Sequence, residues 1–89
     1  MESAVQRFLA NYREHEQLFV VFYATWFRPS MTTKKQWELK KADGLPVVLI
    51  DVDEQQELVE ELKLPCVPAI YTFQQGEITN RKLLSATNT

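Results

Sequence analysis

Residues 19 to 30 read F-V-V-F-Y-A-T-W-F-R-P-S, and residues 64 to 77 read L-P-C-V-P-A-I-Y-T-F-Q-Q-G-E. The first segment lies in an almost unbroken apolar run, Leu18 to Ala24, rich in β-branched and aromatic residues. A strand has this composition when helices cover both of its faces, because neither side meets water. Pro29 then suits the first turn of a helix. In the second segment Ala69 to Phe73 forms another strand, Gln74-Gln75-Gly76 a turn, and Glu77 to about Lys82 a return strand. A glycine near the end of such a loop is a hairpin signal.

Working outward, Pro46 to Val52 (P-V-V-L-I-D-V) repeats the buried-strand signal. Two such strands separated by a helical stretch imply a βαβ crossover and a parallel pair. The helix between them runs from Pro29 to the stop at Asp43-Gly44. Its apolar positions are sparse (Met31, Trp37, Leu39 and Ala42), and Lys34, Lys35, Lys40 and Lys41 dominate the rest. Asp53 is placed to cap a further helix, with Gln56 three residues on and Leu58, Val59 and Leu62 as its apolar stripe. At the start of the chain, residues 3 to 15 carry Val5, Phe8, Leu9 and Tyr12 on one helical face. Ser3 and Gln6 stand there at capping-box spacing. The expected order is helix, strand, helix, strand, helix, strand, strand, in one domain spanning residues 1 to 89, with residues 83 to 89 as a flexible tail.

These two segments, with I-D-V-D-E at 50 to 54, resemble the thioredoxin family, whose members carry strand–W-C-G-P-C–helix and later a strand opened by a cis-proline. The resemblance runs from about residue 5 to residue 82. It implies an α/β thioredoxin-like fold with a central mixed sheet flanked by helices. Two family elements are expected to be missing, the first strand and the full C-terminal helix. Carried over by position, Trp26 matches the tryptophan before the redox motif and Pro29 its proline. Phe27 stands where the attacking cysteine belongs, Arg28 replaces the glycine, and Ser30 replaces the resolving cysteine. Tyr23 matches a buried aromatic, Val21 takes the place of a buried aspartate, and Pro68 matches the cis-proline with Val67 before it.

Dithiol exchange needs a thiolate at the helix N-terminus and a second thiol beside it to release the mixed disulfide. Phenylalanine has no nucleophile, and a serine hydroxyl forms no disulfide. A buried charge without thiols to serve only incurs a desolvation cost, which an apolar Val21 avoids. The degenerate motif Trp26, Phe27, Arg28, Pro29 and Ser30 is therefore expected to be non-catalytic, and the chain not to be a dithiol oxidoreductase. What the family likeness leaves is a peptide groove beside Pro68, where the backbone of the preceding residue pairs with an extended segment. Such pairing draws affinity from main-chain hydrogen bonds and requires no sulfur. Trp26, Phe27, Met31, Val67 and Pro68 would line it, with Arg28 as a charged handle; alternatively Phe27 folds inward and fills the space.

Other candidates have plainer readings. Cys66, the single cysteine, is either a small, partly buried hydrophobe or a thiol for an intermolecular disulfide, a reversible cap or monothiol exchange. Ser30 reads as a capping or first-turn serine more readily than as a nucleophile, because the one histidine, His15, belongs to the end of the first helix. His15 between Glu14 and Glu16 suits a solvated helix end better than a metal site, and no metal or cofactor is expected. Trp37 reads as core. The lysines of the second helix and Glu54, Glu57, Glu60 and Glu61 of the third read as solvated faces.

Composition narrows the function classes. The 89 residues are 45% hydrophobic, with only 2 Gly and 4 Pro, which suits one globular domain with a modest core. A net charge of −2 gives no general electrostatic reason to bind nucleic acid. No apolar run approaches the roughly 20 residues needed to cross a bilayer. A lone cysteine suits the cytoplasm or another reducing intracellular compartment.

Two departures from the family carry expectations. Without a final helix, the last two strands would present an exposed sheet face for a protein partner or a homodimer, unless Leu83 and Leu84 cover it. The second helix also lacks the usual internal proline, with Lys34 near its place, so it is expected to run straighter. The leading expectation is thus a non-catalytic interaction module or assembly subunit. The alternatives are a residual oxidoreductase or redox sensor working through Cys66, and a chaperone-like peptide holder.

Overall fold

A computed structural model describes residues 3–12 and 17–83. The elements follow in the order α1 (Ala4–Ala10), β1 (Gln17–Tyr23), α2 (Arg28–Ala42), β2 (Val47–Asp51), α3 (Gln56–Leu62), β3 (Ala69–Gln74) and β4 (Glu77–Leu83). The four strands form one mixed sheet in the order β2-β1-β3-β4. β1 and β2 are parallel, as the crossover pattern requires, while β1–β3 and β3–β4 are antiparallel. Among the described residues no strand precedes α1 and no helix follows β4.

Strand alternation divides the core into two layers. On one face Leu18, Val20 and Phe22 of β1 join Ile50, Ala69, Tyr71 and Phe73, covered by Val5, Phe8 and Leu9 of α1 and Leu58 of α3. On the other face Val21 packs with Val47 and Ile70 against Phe19, Leu49 and Trp37. Trp37 is half-buried and packs against this layer, with its ring centroid 5.5 Å from that of Phe19. The helix that carries it packs through Ser30 and Thr33, both buried, and these three positions lie at i, i+3 and i+7. Leu39, taken from the sequence as part of the apolar pattern, is instead 70% exposed. The face of α2 is thus set by small polar residues whose hydroxyls are satisfied by backbone carbonyls.

Several local expectations are corrected. Ser3 does cap α1 and accepts from the Gln6 N–H at 3.0 Å, but the reciprocal half of the capping box is not made. The Glu61 carboxylate accepts from the N–H groups of Ala4 and Val5 instead, at 2.7 and 3.3 Å. That bond ties α1 to α3, as does the Arg7–Glu57 ion pair. Asp53 is not the cap of α3: the helix starts at Gln56 with Gln55 before it, and Asp53 turns to Trp26. The first helix is shorter than the expected residues 3 to 15: it ends at Ala10 with Asn11 as its C-cap, so Tyr12 lies beyond it, and Glu14, His15 and Glu16 lie outside the described residues.

The uncovered sheet face is also corrected. Ala69 to Phe73 are all buried, because both core layers close over β3. β4 has little apolar surface to uncover, since Thr79, Asn80, Arg81 and Lys82 are polar and exposed. Leu83, expected to begin the tail, pairs with Ala69 as the last residue of β4 and is 43% exposed. Leu84 and the rest of the tail lie outside the described residues. The hairpin turn is as expected: Gln75 and Gly76 have φ of 53° and 84°, the two positive values of a type I′ turn. α2 runs unbroken to Ala42 and ends in a Schellman motif, with Leu45 N–H donating to the Lys40 carbonyl and Gly44 N–H to that of Lys41. Gly44 has φ 104°, a conformation that favours glycine.

Candidate functional site

Strand register gathers the singled-out residues at one end of the sheet. Phe22 pairs with Ala69, so the loop leaving β1 and the loop entering β3 lie side by side. The Val52 N–H donates to the Tyr23 carbonyl at 3.0 Å, which brings the segment after β2 to the same end. The N-terminus of α2 follows directly from the first of these loops.

Ser30 organises that loop. It is fully buried, its Oγ accepts from the Ala24 N–H at 2.9 Å, and it lies 2.8 Å from the carbonyl oxygens of both Ala24 and Phe27. The single hydroxyl proton is directed at that pair of carbonyls, so every partner of the side chain is backbone. The loop is closed further by Phe27 N–H to the Ala24 carbonyl and Ser30 N–H to that of Phe27, both at 3.1 Å. A hydroxyl held in this way is a clamp on the turn, consistent with the first-turn reading and not with a nucleophile.

Trp26 stands outside the clamp at 68% exposure. Its indole N–H donates to an Asp53 carboxylate oxygen at 3.0 Å, and the Asp53 N–H in turn donates to Asp51 Oδ1 at 2.9 Å. The Trp26 and Phe27 ring centroids are 6.1 Å apart, tilted by 51°. Phe27 is half-buried, so it neither fills the space completely nor stands free. Met31 is half-buried one helical turn further on, and Arg28 is exposed beside it. Opposite, Val67 is half-buried against the core and Pro68 is buried, with a cis bond between them. Among the described residues the backbone groups of Val67 make no hydrogen bond. Cys66, a free thiol, is half-buried one residue earlier.

The remaining candidates fall elsewhere. Val21 is fully buried in the apolar layer under α2, where an aspartate would have no partner. Tyr23 is half-buried rather than buried, with the Lys34 ammonium 5.0 Å from its ring. Glu54, Glu57 and Glu60 line a shallow polar depression on α3. Among the described residues no group of three or more His, Cys, Asp or Glu side chains could hold a metal ion, and no helix is long and apolar enough to cross a membrane.

Sequence reading missed the Asp53 carboxylate as the partner of Trp26, and it placed Ser30 in the first helical turn without foreseeing its bonds to the backbone of Ala24 and Phe27. A capping signal was available at Asp53, but it named the wrong recipient. Nothing in the local pattern couples positions 27 residues apart.

The fold is shared with solved thioredoxins. Thioredoxin NaTrxh from Nicotiana alata superposes with a TM-score of 0.76 at 23% identity, covering 92% of this chain and 75% of the other. Thioredoxin from Malassezia sympodialis gives 0.75 at 21% identity, with 92% and 75% covered. That of Fasciola hepatica gives 0.74 at 20% identity, with 88% and 77% covered. No curated protein matches the chain. The family model described as Thioredoxin matches residues 2–88, nearly the whole sequence, and the chain therefore belongs to the thioredoxin family.

Proposed function

We propose that this chain is a non-catalytic protein-interaction module, which binds an extended peptide segment across Trp26, Phe27, Met31, Val67 and Pro68 and carries out no dithiol exchange. The observation that carries the proposal is the chemistry at the start of α2. Phe27 occupies the helix N-cap, the hydroxyl of Ser30 is engaged with backbone, and Cys66 is the one thiol of the sequence. An exposed tryptophan beside a second ring and a backbone segment without hydrogen bonds offers what strand-like peptide capture uses, an apolar anchor and main-chain donors and acceptors. Arg28 adds a cation at the rim.

Similarity to thioredoxins favours a second reading, a redox role through Cys66. A Cys66 thiolate attacking a disulfide would form a mixed disulfide and release the other sulfur as a thiolate, and an external thiol would have to resolve the product. Disulfide turnover with dithiothreitol as reductant separates the two. The proposal expects the wild type and Cys66→Ser to match the uncatalysed rate. Turnover lost in Cys66→Ser would replace the proposal by the second reading. Peptide arrays followed by calorimetric titration test binding directly. Trp26→Ala is expected to weaken a captured peptide by roughly 30-fold, the scale of an aromatic anchor. Weak, indiscriminate binding to many peptides would point to a chaperone-like holder instead.

A further inference from the structure

The two edges of the sheet are built differently. β4 is guarded: its residues 77–83 include Glu77, Arg81 and Lys82, it is exposed along its length apart from Ile78, and the β3–β4 register shifts at Thr72/Phe73. Charges and irregularity of this kind keep an edge from pairing with another chain. β2 has none of these devices. Its sequence, V-V-L-I-D, is apolar up to Asp51, it is regular, and among the described residues nothing pairs with its outer side.

The hydrogen bonds on that outer side can be counted. The parallel register Phe19↔Val47 to Tyr23↔Asp51 directs the backbone groups of Val48 and Ile50 toward β1 and those of Val47, Leu49 and Asp51 outward. Two of these six outward groups are satisfied within the chain. The Val47 N–H donates to the Leu45 carbonyl at 2.8 Å, and the Asp51 carbonyl accepts from Glu54 and Gln55 at 3.0 and 3.2 Å. Four remain without a partner among the described residues: the Val47 carbonyl, both groups of Leu49 and the Asp51 N–H.

We propose that the outer edge of β2 pairs antiparallel with β2 of a second copy of this chain, about a two-fold axis at Leu49, to make a continuous eight-stranded sheet. The two Leu49 residues exchange two hydrogen bonds, and each Asp51 N–H donates to the Val47 carbonyl of the other copy. All four open groups on each copy are then used, and the groups this register would leave over are the two already satisfied internally.

Side chains and charge agree with this register. Val48 meets Ile50 of the other copy and Leu49 meets Leu49. The groove beside the edge, lined by Tyr12, Lys41, Leu45, Pro46, Val48 and Leu49, adds apolar surface on each copy. Antiparallel pairing also sets the acidic end of the strand, Asp51 followed by Asp53 and Glu54, against the end that carries Lys41 in the other copy. A parallel partner would bring like ends together.

The test is sedimentation velocity in reducing buffer over micromolar to submillimolar concentration, with amide hydrogen exchange on the same samples. Expected is a reversible monomer–dimer equilibrium in which the Leu49 and Asp51 amides exchange at least ~10-fold more slowly once dimer dominates. Leu49→Pro removes two of the four inter-copy bonds at a position where a strand edge tolerates proline. It should raise the dimer dissociation constant at least about tenfold. Lys41→Glu, an exposed change, should raise it roughly two- to five-fold at low salt. A monomer at every concentration overturns the proposal. So does a dimer whose Leu49 and Asp51 amides stay unprotected, since it would use another face. Neither result bears on the peptide groove, which lies at the opposite end of α2 from Lys41.

Discussion

Replacing Ser30 by alanine isolates the role of the clamp. The Ala24 N–H is fully buried and its acceptor is the Ser30 hydroxyl. The carbonyls of Ala24 and Phe27 lose one donor between them but keep Phe27 N–H and Ser30 N–H, respectively. The cost of Ser30→Ala is therefore that of one orphaned buried donor, about 1–3 kcal/mol, with a central value near 2. For a domain of this size that lowers the melting temperature by roughly 8–16 °C. Urea and thermal unfolding followed by circular dichroism measure it. Thr32→Ala is the matched control: its hydroxyl is exposed, lies 3.5 Å from the Arg28 carbonyl, and its loss should stay within about 0.5 kcal/mol. If Ser30→Ala and Thr32→Ala unfold at the same midpoint as the wild type, the hydroxyl does not hold the loop. The reading of Ser30 as the clamp of the loop would then have to be abandoned.

Three further outcomes follow from the geometry. Glu61→Ala strips two N-terminal donors of α1 of their acceptor and should cost about 1 kcal/mol, read as a lower urea midpoint with an unchanged m-value. Lys63 has φ 52° at the left-handed end of α3, where Leu64 N–H reaches the Val59 carbonyl. Lys63→Gly should therefore raise stability by about 0.5–1 kcal/mol in the same assay, and a loss would contradict the strain argument. Phe27→Ser would supply the capping oxygen that the N-cap of α2 lacks while losing half-buried ring surface, two opposed effects of about 1 kcal/mol each. Its folding should stay within about 0.5 kcal/mol of wild type while peptide titration weakens; unimpaired binding would remove Phe27 from the groove.

The strands were legible in the sequence because burial on both faces leaves a signal of unbroken apolar residues, as in Leu18–Ala24 and Pro46–Val52. Both lie within one or two residues of the observed strands. The packing face of α2 was not, since Ser30 and Thr33 bury hydroxyls satisfied by carbonyls within the same segment, and hydropathy counts such residues as polar. The site was legible as a set of positions: Trp26, Phe27, Met31 and Val67 do share one end of the sheet. Its internal bonds were not. Asp53 caps nothing and instead accepts from Trp26, a contact decided by how two loops converge and by no local rule. The expected uncovered face failed for a related reason. Exposure of β3 was inferred from an absent helix, whereas Ile70 already lies in a layer closed by Val21, Val47 and Trp37.

Capture of a peptide and exchange of thiols would place different demands on the same loop, and the bonds that hold the loop can be named. What fixes Trp26 is the Ser30 clamp on one side and the Asp53 carboxylate on the other. What fixes Val67 is contact with the core and a strand that starts two residues later in register with β1 and β4. None of these restraints involves sulfur. The placement of Trp26 and Val67 at one end of the sheet therefore depends on no thiol and no buried charge. With phenylalanine at position 27, the N-cap of α2 makes no side-chain hydrogen bond, and a half-buried ring stands beside Trp26. Under the proposed peptide-binding reading, that arrangement gives up a capping bond for apolar surface beside Trp26.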